Sequence, residues 1–240
     1  MIKRFAALVA TAILTATMFF VAAPTAEAAT DCATKTVKYG TSGACVKEAQ
    51  TLLKNAGFYT GSISGKASVA TINAVLNFQR AQRIADNGVI NATTWGRLRA
   101  PAAVDTSLPA SCQAAGVVLC VSKATRTLTV LQDGAVVKTI PVRLGGFTQD
   151  KYGRYRVHQT GVGVYRVYKK DPNPYSKRYG AGIMPNSLMF DPNMYVHYSA
   201  DFRAYGYTRS SHGCVNIANR ADSLWVYNFT PVGSRVVVFS

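Results

Sequence analysis

The run Ser210-Ser211-His212-Gly213-Cys214-Val215-Asn216 places a thiol directly after a glycine and two residues after a histidine. A thiol is a good nucleophile only as the thiolate, which forms near pH 8.5 in an unperturbed cysteine. An imidazole within hydrogen-bond reach can take that proton, and a cysteine so activated is expected to react well below pH 8.5. The chain has three histidines. His212 precedes Cys214 by two positions, so in an extended segment both side chains share a face. His197 closes the apolar run Met194-Tyr195-Val196, and polar, glycine-containing sequence separates it from the cysteine. A strand-loop-strand return would bring it to Cys214. His158 lies further upstream, and nothing in the sequence gives it a role. Gly213, lacking a side chain, lets a backbone or substrate approach closely. The amides of Gly213 and Cys214 could then face a reacting carbonyl oxygen, where losing one such donor costs about 3 kcal/mol of barrier.

Two plainer readings compete. A lone cysteine is usually a buried structural thiol, and Cys214 with His197 and His212 could hold zinc. The cysteine count bears on both. Five cysteines are present, so in an oxidising compartment four can pair and one remains. Three pairings of the other four are possible. Adjacency in sequence favours Cys32 with Cys45 and Cys112 with Cys120, each closing a short loop that adds roughly 2.5–3 kcal/mol in the chain-entropy model. Cys214 is then the free thiol. No second cysteine is left for a zinc site, which would also need a fourth ligand or a water, so a metal is not expected.

The oxidising compartment is itself inferred from the N-terminus. Lys3 and Arg4 precede an apolar stretch from Phe5 to Val21, and Ala26-Glu27-Ala28 is a small-x-small cleavage pattern. Residues 1–29 therefore read as a secretory signal peptide rather than a membrane anchor. Without Lys3, Arg4 and Glu27 the formal net charge of +16 becomes +15. Such a charge implies anionic surroundings. Secretion argues against nucleic acid and favours anionic wall polymers or membrane surfaces, with no stable membrane insertion once the leader is cleaved.

The elements that must position Cys214 fall into two textures. Residues 30–100 read as a small three-helix domain. Val46, Ala49, Leu52 and Leu53 recur at helical spacing up to Gly57, and Val69 to Phe78 form a second helix capped by Ser68. A short third helix follows Asn91 and carries Trp95 and Leu98. Residues 101–111 are a Pro- and Ala-containing linker. From Cys112 to Ser240 the pattern is mainly β. Thr127–Gln132 and Ala135–Val142 flank Asp133-Gly134, a strong hairpin signal. Arg154–His158 and Gly163–Tyr168 alternate, Arg235–Phe239 reads as a closing strand, and only Asn219–Asn228 reads as helix. The expected fold is α+β and multidomain, its β part a sandwich or partly closed barrel.

The motif at Cys214 resembles the signature of the L,D-transpeptidase (YkuD-like) family. The shared features are an upstream histidine, then Ser/Thr-His-Gly-Cys-hydrophobic-Asn, here His197 and Ser211 to Asn216. Thr160-Gly161-Val162-Gly163 stands where that family carries Thr-Pro-Thr-Gly. The resemblance implies that Cys214 is the nucleophile, His197 its general base, and the Tyr198 carbonyl the group that orients His197. It also implies that His212, Gly213 and Cys214 supply the oxyanion hole, and that Ser211, Asn216 and Tyr195 shape the substrate site. The helical segment resembles the small peptidoglycan-binding domain attached to wall enzymes, through Val46-x3-Gln50-x-Leu52-Leu53, Gly57-Phe58-Tyr59, Thr71 to Arg80, and Gly88-Val89-Ile90 with Thr94-Trp95. It has Ser62-Ile63-Ser64-Gly65-Lys66 in place of the usual Asp-Gly-x-Phe-Gly. The implied protein is a secreted, wall-located monomer that forms 3→3 peptidoglycan cross-links on stem peptides and glycan, without cofactor. The alternatives are an L,D-carboxypeptidase or other secreted cysteine peptidase acting on the stems, and a non-catalytic wall-binding protein.

Overall fold

The computed structural model describes residues 31–176, 180–192 and 194–240. The leader expected over residues 1–29 lies outside them. Among the described residues no helix is long and apolar enough to cross a membrane.

The N-terminal part contains α1 (Ala44–Asn55), α2 (Val69–Ala81) and α3 (Ala92–Arg99). Ser68 and Asn91 cap α2 and α3 by accepting from the amides of Thr71 and Thr94. Val46, Leu53, Ile72, Leu76, Phe78 and Trp95 form the core of this part. Two buried glutamines hold the loops around that core. Gln50 accepts from the Gly65 amide at 2.9 Å and donates to the Lys66 carbonyl at 3.1 Å. Gln79 accepts from the Gly88 amide and donates to the Val89 carbonyl, both at 2.9 Å. Each amide thereby satisfies backbone groups that would otherwise be buried unpaired. A core this small is marginal by itself, and the Cys32–Cys45 disulfide ties its entrance segment to the start of α1.

The rest is built on β1 (Val117–Ser122), β2 (Thr127–Gln132), β3 (Ala135–Arg143), β4 (Phe147–Gln149), β5 (Tyr155–Val157), β6 (Gly163–Arg166), β7 (Lys169–Asp171), β8 (Ser187–Asp191), β9 (Met194–Tyr198), β10 (Val215–Ile217) and β11 (Arg235–Phe239), with helices α4 (Ala200–Tyr205) and α5 (Arg220–Phe229). Nine strands make one sheet in the order β6-β11-β1-β2-β3-β10-β9-β8-β7, while β4 and β5 pair separately as a hairpin. The sheet curls until its ends meet, with Tyr165 of β6 edge-on to Phe190 of β8 at 5.4 Å. This is the partly closed form of the expected fold.

Alternation sorts the sides of β1. Leu119 and Val121 face the enclosed core with Leu128, Val130, Ile140 and Val236. Val118 and Cys120 face outward into a second cluster with Leu131 and Val237. The Cys112–Cys120 disulfide, Cα to Cα 6.0 Å, fastens the end of the linker onto that outer face. Both pairings are those favoured by sequence adjacency, and Cys214 is in neither disulfide.

The Asp133-Gly134 hairpin forms as expected, both residues having positive φ. One expectation is corrected: Asn219–Asn228 is not the only helix of this part. Ala200–Tyr205 is also helical, capped by Ser199 Oγ accepting from the Phe202 amide at 3.1 Å. A six-residue helix shows too little periodicity to stand out in sequence. It matters because it makes the connection between β9 and β10 a crossover. These two strands run parallel, so the return from His197 to Cys214 is strand-helix-strand rather than strand-loop-strand.

Candidate active site

Three adjacent strands assemble the polar centre. Antiparallel pairing sets Arg143 of β3 opposite Asn216 of β10, and parallel pairing sets Asn216 opposite His197 of β9. All three residues are buried. Asn216 Oδ1 accepts from Arg143 Nη2 at 2.9 Å and Nε at 3.3 Å. A guanidinium can only donate, so this contact fixes the amide orientation and turns Asn216 Nδ2 toward His197 Nε2 at 2.9 Å. Nε2 accepts there and carries no proton. The proton therefore sits on Nδ1, which donates to the Tyr198 carbonyl at 2.6 Å. Arg143 is anchored in turn by Asp201 at 2.8 Å, and Asp201 also takes Arg209 at 2.7 Å. Burial pushes the His197 imidazole down to about 4; the Tyr198 carbonyl opposes this, and the Arg143 charge adds to it.

Cys214 stands at the head of β10, half-buried. Burial pushes its thiol up to about 11, opposed by a hydrogen bond from the Tyr195 backbone. At rest the site therefore holds a neutral thiol and a neutral imidazole. A histidine buried and uncharged supplies no positive potential to stabilise a thiolate. Because Nδ1 is committed to Tyr198, Nε2 is the ring atom that could take a proton, and Asn216 Nδ2 would have to give way for it to do so.

The loop before Cys214 is held on both sides. Ser211 Oγ donates to the Cys214 carbonyl at 2.6 Å and accepts from the Gly213 amide at 3.1 Å. The Gly213 amide is thus committed within the turn, where Gly213 itself has a φ of 124°. Thr160 Oγ1 donates to the Gly213 carbonyl and accepts from the Gly145 amide, both at 2.9 Å. Gly145 has to be glycine, since a Cβ there would run into the His158 carbonyl and lie 2.9 Å from Gly213 Cα. His212 Nε2 donates to the Gln149 carbonyl at 2.7 Å, and its ring lies 4.8 Å from that of His158. Tyr195 meets the site through its backbone, while its hydroxyl donates to the Pro192 carbonyl at 3.3 Å. Among the described residues no three His, Cys, Asp or Glu side chains gather as metal ligands would.

Sequence reasoning did not find Arg143 or Asp201, and named Thr160 only as the start of the Thr160–Gly163 run, without a role. Arg143 carries a weak signal, a cation ending an apolar strand just before Gly145-Gly146. Its pairing with Asn216 depends on a register between strands far apart in sequence.

Cys214, His197 and Asn216 open into a cleft of about 1070 Å³. Phe147, Gln149 and Tyr155 of the β4–β5 hairpin line one side of it.

The L,D-transpeptidase catalytic domain model (YkuD) matches residues 116–238, and the chain belongs to that family. A peptidoglycan binding domain model matches residues 42–98. Among solved structures the chain is similar to the L,D-transpeptidase from Xylanimonas cellulosilytica, at 27% identity, covering 85% of this chain and 97% of that one with a TM-score of 0.43. It is also similar to an L,D-transpeptidase from Stackebrandtia nassauensis, at 25% identity, covering 85% and 95% with a TM-score of 0.45. No curated protein matches the chain.

Proposed function

We propose that this chain is a secreted, wall-located enzyme that forms 3→3 peptidoglycan cross-links through a thioester on Cys214. The observation that carries the reading is the β9–β10 register, which sets His197 beside Asn216, two residues after Cys214, with its tautomer fixed for accepting a proton at Nε2. In this reading residues 30–100 are the wall-binding unit, 101–111 the linker and 112–240 the catalytic unit.

Cys214 Sγ attacks the carbonyl carbon of the third stem residue, a diamino acid, as its proton passes to His197 Nε2. The oxyanion accepts hydrogen bonds from the loop amides of Gly213 and Cys214, the Gly213 amide leaving Ser211 Oγ to contribute. His197 then protonates the departing amine, the carbon–nitrogen bond breaks, and D-alanine leaves. A side-chain amine of a second stem attacks the thioester and gives its proton to His197, and the Cys214 sulfur departs and recovers that proton. Burial favours the neutral pair before and after each transfer.

The test is mass spectrometry of the mature protein with a disaccharide-tetrapeptide, beside Cys214→Ala. A covalent adduct on Cys214 and a dimer lacking one D-alanine are expected. Adduct with free tripeptide would mean that water is the acceptor and the enzyme a carboxypeptidase. An unmodified Cys214 with neither product would overturn the reading.

A further inference from the structure

The cleft above Cys214 is not built by the β part alone. Its lining also includes Tyr39, Gly40 and Lys66 to Ala70 of the helical part. The two parts are fastened by groups with no slack. Asn73 of α2 accepts from the Phe147 amide at 2.8 Å and donates to the Phe147 carbonyl at 3.2 Å. The Tyr39 ring packs at 5.0 Å from Phe147 and 4.9 Å from Tyr155. The Arg126 guanidinium lies 5.1 Å from the Phe58 ring and 4.3 Å from the Tyr207 ring, and Lys123 pairs with Asp86 at 3.1 Å. Gly146 lets this junction close, since a Cβ there would lie 2.7 Å from Asn73 Oδ1. The linker is tied back as well, with Gln82 and Ala102 exchanging bonds of 3.0 and 2.7 Å.

The cleft so formed has a definite charge. Its lining holds three cations, Lys66, Arg143 and Arg209, against one carboxylate, Asp201, and that carboxylate is engaged by both arginines. Lys66 is the cation contributed by the helical side, and it is exposed. Tyr39 and Tyr155 add aromatic faces with polar edges, a surface that suits peptide and sugar together.

We propose that the helical part is a wall of the substrate site itself, and that Lys66 and Tyr39 bind the anionic, sugar-bearing stem peptide whose carbonyl reaches Cys214. This rests on the function proposed above, and it differs from a role as a detached wall anchor in one measurable respect. A detached anchor acts only on polymer. A wall of the cleft acts on a single soluble fragment too short to reach any second site.

The experiment measures binding of a soluble disaccharide-tetrapeptide to the full chain carrying Cys214→Ser, so that no turnover is needed. Lys66→Glu is compared with Lys54→Glu, the same charge change on an exposed residue of α1 outside the cleft lining. Lys66→Glu is expected to weaken binding roughly fivefold at low salt, as rim charges do, with the difference shrinking as salt is raised. Lys66→Gln should fall between, and Lys54→Glu should bind like its parent. Equal affinity for the Lys66→Glu and Lys54→Glu proteins, whether both unchanged or both reduced, overturns the inference. A native circular-dichroism spectrum of Lys66→Glu excludes misfolding as the cause of a loss. Failure of the underlying function is separate: it shows as an unmodified Cys214 in the wild-type protein, whatever the binding result.

Discussion

At the scale of single residues, the site is governed by which atoms hold protons. Arg143 orients Asn216, Asn216 fixes the His197 tautomer, and the Tyr198 carbonyl takes the remaining proton. Asn216→Asp would place a carboxylate oxygen at Nε2, favour the imidazolium and remove the base. We expect kcat/KM to fall by about 10²–10⁴-fold, with folding retained, as steady-state kinetics and circular dichroism would check. The thiol, pushed up to about 11, should be alkylated by iodoacetamide in the free protein at a rate still rising with pH above 8.5; a plateau at neutral pH would contradict the neutral resting pair. His197 affects stability as well. The unfolded histidine takes its proton near 6.5 and the folded one only near 4. Between those values the unfolded chain binds more protons, so stability is fully present above 6.5 and is lost as pH falls through the window, by about 3 kcal/mol. Urea midpoints of wild type and His197→Asn between pH 4 and 7 should converge on the acid side.

At the scale of elements, the nucleophile loop depends on neighbours that make room for it. Gly145→Ala would force the β3–β4 connection away from Gly213 and strain the Thr160 bridge. We expect a loss of about 1–3 kcal/mol in urea-melt stability and at least a tenfold fall in kcat/KM, since the loop carries the reacting sulfur. The two main helices and the Asp133-Gly134 hairpin were legible because caps, turns and periodicity are local signals. Helix α4 was not, being a single short turn and a half whose identity depends on the parallel crossover it completes.

For the whole molecule, the junction between the helical and β parts is decided by a few buried polar contacts. Asn73→Ala would leave the Phe147 amide without its partner, while the Phe147 carbonyl keeps Ser210 Oγ, at a cost of about 1–3 kcal/mol. Calorimetry should then resolve two transitions in place of one, with the helical part melting first because its core is smaller. Selective reduction of Cys32–Cys45 should lower that same transition.

The sequence by itself picked out Cys214 as the candidate nucleophile, the candidate histidines, the two disulfides and the division into a helical and a β texture. These follow from residue types, short spacings and the period of apolar positions, all of which act over a few residues. Only the tertiary structure decided that Arg143 and Asn216 share a register, that Tyr195 contributes its backbone to the thiol, and that burial holds Cys214 and His197 neutral. It alone placed Tyr39 and Lys66 in the lining of the cleft that holds Cys214. Each of those depends on strands and helices far apart in the chain, and on how much water their packing excludes.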